Sequence, residues 1–99
     1  MSATKKIFNI KSEVWRWLGV GGWYFVYVDR KLNGTIRTNG SRYGSGFIKI
    51  HATIGNTSWT TALFPYKKED VYLISIKASV RKKEGIDEGD VVKIRFELL

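Results

Sequence analysis

The chain has 99 residues, 43% hydrophobic and 14% aromatic, which is enough for one hydrophobic core and too short for two. It has no cysteine, which excludes disulfide bonds, thiolate zinc sites and cysteine nucleophiles and fits a cytoplasmic location. The formal net charge is +8. Nine basic and two acidic residues in 1–50 place +7 of this charge in the first half. We expect one soluble domain over residues 1–99, with no membrane-spanning segment.

In the first half, alternation of apolar and polar residues predicts two strands. The first runs from Phe8 to Val14, and its phase slips before Trp15 as it does at a β-bulge. A glycine-rich turn leads into a second strand over 23–28. Residues 29–46 are rich in Gly, Asn, Ser and Arg, which predicts an irregular segment with one helical turn.

The second half continues the alternation and contains one convincing helix. Gly55-Asn56 has the chemistry of a hairpin turn, and Gly85 is placed to end a short helix over 77–84. The four further strands are predicted over 48–54, 59–64, 71–76 and 92–98. Six strands with one or two short helices predict an all-β fold, a closed or nearly closed small barrel.

Two dipeptides recur at one spacing. Ile36-Arg37 and Val80-Arg81 lie 44 residues apart, as do Lys49-Ile50 and Lys93-Ile94. This spacing is consistent with two pseudo-repeats of three strands each, related by a two-fold axis.

Residues 23–26, 52–65, 72–82 and 89–91 together resemble the family known as domain of unknown function 1905, over about residues 8–98. The resemblance implies a six-stranded double-split β-barrel and no established activity. The C-terminal half is also similar, more weakly, to the half-barrel of AbrB-type regulators, which are DNA-binding dimers of swapped hairpins. That similarity favours DNA binding, and it leaves a monomer and a homodimer both open for this chain.

Catalytic groups are few. The single histidine, His51, falls on the outward phase of a strand, and the carboxylates of Glu84 and residues 87–90 flank a turn. Arg81 is expected to have a structural role, bonding a turn carbonyl or an acidic residue. We therefore predict a protein that is not an enzyme and that has no metal ion or cofactor.

Two groups of residues could bind a ligand, the tryptophans and the basic residues of the loop. Alternation in Trp15-Arg16-Trp17 puts both indoles on one face of a strand, where bases could stack, although tryptophans in a small barrel more often fill the core or cap its ends. The resemblance implies such a structural role for Trp23 and Trp59. Arginines in a loop could clamp phosphates, or form a solvated basic surface. The candidate ligand-binding residues are Trp15, Arg16, Trp17, Arg30, Lys31, Arg37, Arg42 and Tyr43.

These features predict a non-enzymatic binding module. A positive charge of this size favours a polyanionic partner, with nucleic acid ahead of acidic protein. The alternative is an accessory interaction domain that binds a protein or a small molecule through an aromatic pocket. Salt separates them, because phosphate contacts weaken steeply with salt and apolar contacts do not.

Overall fold

The computed structural model describes residues 7–19, 21–40, 42–43 (backbone only) and 46–99. Two short helices occur in this part of the chain, α1 (Asn33–Asn39), which follows a 3-10 turn at Arg30–Leu32, and α2 (Ala78–Glu84). The strands are β1 (Ile7–Glu13), β2 (Trp15–Arg16), β3 (Tyr24–Tyr27), β4 (Arg42–Tyr43), β5 (Phe47–Ile54), β6 (Thr57–Tyr66), β7 (Val71–Ser75) and β8 (Val91–Leu98). The chain is therefore mostly β with two short helices, as predicted, but it has more than the predicted six strands.

All the strands belong to one antiparallel sheet. Its order is β1-β8-β5-β6-β7-β3-β2, and β4 pairs with β5 outside this path. The sheet curls into a half-barrel, so that one side chain of every two points inward. The fully enclosed core includes Val14, Val26, Val28, Ile36, Ile48, Ile50, Leu63, Ile74, Ile94 and Phe96.

The first described segment of the chain forms both ends of this sheet order, β1 at one end and β2 at the other. β1 pairs with β8 and β2 pairs with β3, so residues 7–16 change partner between the two strands. The change falls at Val14, which is fully buried. Its N–H donates to the Asp90 carbonyl and its carbonyl accepts from the Gly89 N–H, both at 2.8 Å. The phase slip predicted before Trp15 thus marks a change of partner strand.

The predicted helix and its end are confirmed. Gly85 follows α2 in the left-handed conformation (φ 64°, ψ 41°), and the Ile86 N–H reaches back to the Arg81 carbonyl at 2.9 Å. Glycine fits here because it enters this region without the steric penalty that a Cβ brings.

The segment predicted to be irregular is more ordered than expected. It contains the 3-10 turn, the two-turn helix α1 and strand β4. Asn, Gly and Thr are poor helix formers, so local propensity hid α1. Burial of Ile36, which has no exposed surface, supplies the stabilisation that the local sequence lacks.

Candidate binding site

One outward side of the sheet is mainly aromatic. In β3, Val26 is fully buried, so its neighbours Phe25 and Tyr27 lie on the opposite side of the strand. The same side of the sheet continues onto β7 and β6, because Leu73 of β7 is paired with Tyr27 of β3 and with Phe64 of β6. We call the resulting surface the aromatic face; its rings are Trp15, Trp17, Trp23, Phe25, Tyr27, Phe47, Phe64 and Tyr66.

Trp15 has the most ring contacts on the aromatic face. Its ring centroid lies 5.3 Å from that of Phe25, 5.2 Å from that of Tyr27 and 6.2 Å from that of Trp17. These separations lie in the range where tilted and offset-stacked pairs are attractive. Trp15 is therefore held by its neighbours and supports the more exposed rings beside it.

A shallow hollow of about 440 Å³ opens in the aromatic face. None of the described residues that line it is charged; they are Trp17, Trp23, Phe25, Phe47, Phe64, Tyr66 and Leu73. Trp17 and Trp23 at its edge remain 41% and 51% exposed. A contiguous exposed apolar patch on a small domain is typical of a binding surface.

The turn between β2 and β3 needs glycine to place these two indoles. The Trp17 indole lies so close to Gly19 that a Cβ there would overlap its ring nitrogen. Gly21 has φ +107°, and a Cβ there would lie 2.6 Å from the indole nitrogen of Trp23. The turn predicted from these glycines thus lets both indoles fold back over the backbone.

Tyr27 adds a polar group to the aromatic face. Partial burial, followed by the neighbouring Tyr66 and Glu69, raises the pKa of its hydroxyl above the ordinary value of 10.0. Desolvation and a nearby negative charge both disfavour the phenolate, so the hydroxyl stays a hydrogen-bond donor at neutral pH.

The structure shows the geometry predicted for Trp15-Arg16-Trp17, with the two indoles together and the arginine on the other side. The rings of Trp15 and Trp17 meet on the aromatic face, while Arg16 pairs with Tyr24 and alternates away from Trp15 along the strand. Arg42 and Tyr43 lie on β4, and their side chains fall outside the described part of the molecule.

Two of the three basic residues predicted around the loop, Arg30 and Arg37, contact the turn between β6 and β7, whereas Lys31 lies beside Asp29 in its own segment. Arg30 donates to the Glu69 carbonyl at 2.7 Å. The other two lie near carboxylates: Lys31 at 3.9 Å from Asp29 and Arg37 at 3.4 Å from Asp70. All of these ion-pair partners are exposed, so the pairs are weak, but they offset part of the local positive charge.

The residues singled out for catalysis have ordinary structural contacts. The Asp90 carboxylate accepts from the Asp87 N–H at 2.8 Å, as the turn interpretation predicted. The Glu84 carboxylate accepts from the Thr57 hydroxyl at 2.6 Å. Arg81 donates through Nε to the Ile76 carbonyl at 3.1 Å, which confirms the structural role predicted for it.

Most of the hollow was missed by reasoning from the sequence. The resemblance implied a structural role for Trp23, Phe25 and Phe64 were predicted only as strand residues, and Tyr66 fell outside the predicted strands. The available signal was their alternation with buried Val26 and Leu63, which placed aromatic residues on the outward phase of two strands.

Comparison with known proteins identifies the family of the chain. The family model described as a domain of unknown function (DUF1905) matches residues 11–96, nearly the whole chain. No curated protein matches the chain. Neither helix in the described ranges is long and apolar enough to cross a membrane.

Proposed function

We propose that this chain, which belongs to the DUF1905 family, is a non-enzymatic binding module that holds an aromatic or apolar group of its ligand in the hollow of the aromatic face. The observation that carries the proposal is the composition of the hollow, whose described lining consists of six aromatic rings and one leucine. Its volume of about 440 Å³ lies within the range of small-molecule sites.

Physical chemistry supports this ligand class. Covering exposed rings releases about 25 cal/mol for each Å² of apolar surface removed from water, and ring stacking adds to that. The rings are already packed against one another, as for Phe47 and Phe64 at 4.9 Å, so little ordering is needed on binding. A protein side chain or a small molecule would both satisfy these contacts.

The test is a titration with neutral aromatic probes, indole and benzyl alcohol, followed by NMR of the indole N–H groups. We expect the Trp17 and Trp23 signals to shift in a saturable way, because these indoles border the hollow. The effect should be nearly the same at low and high salt, since the described lining of the hollow carries no charge.

Trp59 provides an internal control, because it is 6% exposed and belongs to the core. Trp23→Ala should abolish the shift at Trp17, whereas Leu18→Ala should not, since Leu18 is 94% exposed and does not line the hollow. Equal shifts at Trp59 and Trp23, or no shift with either probe, would contradict the proposal.

Polyanion binding remains the second candidate, supported by the net charge of +8. Nucleic acid stays ahead of acidic protein as the partner. The partial neutralisation of Lys31 and Arg37 by carboxylates weakens the case for the loop alone. The cytoplasm, favoured by the absence of cysteine, stays our prediction for the location.

For the finer architecture we propose a double-split barrel made of two pseudo-repeats. Support comes from residues 7–16, which form both ends of the sheet order because β1 pairs with β8 and β2 pairs with β3. The repeated dipeptides also occupy similar places: Ile36 and Val80 are buried in α1 and α2, and Ile50 and Ile94 lie in the adjacent strands β5 and β8.

A further inference from the structure

Three exposed basic side chains lie close together on β1 and β8, away from the aromatic face. The register places Lys11 of β1 directly opposite Lys93 of β8. Arg95 follows Lys93 by two residues, on the same side of the strand, and lies opposite Asn9 on β1 and Thr53 on β5. Lys11, Lys93 and Arg95 are therefore close neighbours on one outward surface, which we call the basic track.

The basic track combines a like-charge cross-strand pair with one acid at each of its ends. Like charges placed directly opposite each other in a sheet are destabilising. Within the described ranges no ion pair involves Lys11, Lys93 or Arg95. Two acids on the same sides of β1 and β8 adjoin the track, Glu13 two residues from Lys11 and Glu97 two residues from Arg95. They offset charge at the ends of the track and leave the pair of Lys11 with Lys93 at its centre. A bound anion would relieve a repulsion that the folded chain otherwise retains.

The basic track borders a series of connected hollows. One of about 440 Å³ is lined by all three cations together with the polar side chains of Asn9 and Thr53. A smaller one of about 200 Å³ shares Arg95 and Thr53 with it and adds His51 and the carboxylate-bearing Glu97. Ammonium, guanidinium, amide and hydroxyl groups are the donors that proteins use to hold phosphate oxygens.

A third hollow extends the series past Lys11. It has a volume of about 720 Å³, and it shares Lys11 and Asn9 with the first hollow while adding Arg30 and Lys31. The basic track is thus joined to the loop cations through Lys11. The hollows form an elongated path over β1, longer than a compact anion needs.

We infer that this path binds the phosphodiester backbone of single-stranded nucleic acid, running from Arg30 and Lys31 over Lys11 to Lys93 and Arg95. A single strand is flexible enough to follow a path that crosses a strand of the sheet, whereas a duplex is stiff over this length. The inference rests on the second candidate, polyanion binding, and gives it a site that shares no residue with the lining of the aromatic hollow.

The experiment measures binding of a labelled single-stranded oligonucleotide by anisotropy, from about 50 to 200 mM salt. The test variant is Lys93→Gln/Arg95→Gln, and the control is Lys82→Gln/Lys83→Gln, which removes the same charge from exposed positions on α2. We expect the test variant to bind on the order of tenfold more weakly. Its slope of log K against log salt should fall by about 1.4, or 0.7 for each lost contact.

The control should keep the slope of the unmodified chain, because its lysines lie outside the path. Equal weakening in both variants would overturn the site and leave polyanion binding as an effect of net charge. Absence of binding at about 50 mM salt would overturn both. Equally tight binding of the matching duplex would overturn the single-stranded assignment, and preferential binding to phosphatidylserine vesicles would overturn nucleic acid as the ligand.

Discussion

Arg81 shows how one side chain connects a helix with two strands. Its Nε donates to the Ile76 carbonyl just after β7, and its guanidinium carbon lies 3.7 Å from the centroid of the Tyr24 ring in β3. Ile76 in turn donates its N–H to the Tyr24 carbonyl at 2.9 Å. The guanidinium thus combines a charge-assisted hydrogen bond with a cation–π contact.

Replacing Arg81 with methionine keeps most of the aliphatic stem and removes both contacts. We expect Arg81→Met to lower the free energy of unfolding by about 2 kcal/mol, the combined size of such a bond and a cation–π contact. Urea unfolding measures the change, and Lys82→Met on the exposed side of α2 is the control. Equal midpoints for the two variants would contradict the role assigned to Arg81.

The residue scale also shows why the binding surface was hard to predict. Reading Trp15, Arg16 and Trp17 along one strand correctly paired the two indoles, because alternation is a local property. Phe47 meets Phe64 through pairing of β5 with β6, and Lys11 meets Lys93 through pairing of residues far apart in the chain. The register between strands that are distant in the chain depends on the whole sheet. The sequence therefore indicated which residue types could bind a ligand, but not which of them lie next to one another.

Two glycines at the ends of elements have similar backbone angles and different surroundings. Gly55 in the β5–β6 turn has φ +57° and Gly85 after α2 has φ +64°. A Cβ at Gly85 would meet nothing within 4 Å, whereas a Cβ at Gly55 would overlap the Glu84 carboxylate. That carboxylate accepts a hydrogen bond from the Thr57 hydroxyl, so Gly55 permits a contact between the turn and the end of α2.

Alanine at each position separates backbone strain from crowding. Gly85→Ala should cost about 1 kcal/mol, the penalty for placing a Cβ in the left-handed region. Gly55→Ala should cost more, because it also displaces Glu84 from Thr57. In thermal unfolding, Glu84→Ala should recover part of the additional loss. Equal losses for both glycine variants would show that Glu84 moves aside freely.

At the scale of elements, strands were predicted better than the segment between them. Alternation located β5 and β8 because each buries every second residue. The hairpin at Gly55 and the end of α2 at Gly85 followed from residues with a strong local preference. One helical turn was predicted in that segment, but the full length of α1 and the strand β4 depend on tertiary contacts that the local composition does not indicate.

For the whole molecule, a net charge of +8 predicts self-repulsion that salt screens. Lys11→Glu should stabilise the fold by about 0.5 kcal/mol at low salt, because it turns a like-charge cross-strand pair into an attractive one. The gain should shrink toward about 1 M salt. Thermal unfolding at several salt concentrations measures it.

Lys82→Glu changes the net charge by the same amount from an exposed position on α2, and it serves as the control. A larger gain for Lys11→Glu than for Lys82→Glu would assign the difference to the pair with Lys93. Identical gains would mean that only total charge matters and that the cross-strand repulsion is negligible.

The pairing of β1 with β8 also orders events during synthesis. Ile7–Glu13 is synthesised before the other described strands, yet its partner Val91–Leu98 is made last among them. Until then β1 has an unpaired edge and no hairpin partner nearby in the chain. The nascent chain thus carries an exposed strand for the time needed to add some eighty residues, which is several seconds at about 5–20 residues per second, and this is the period in which protection from aggregation matters most.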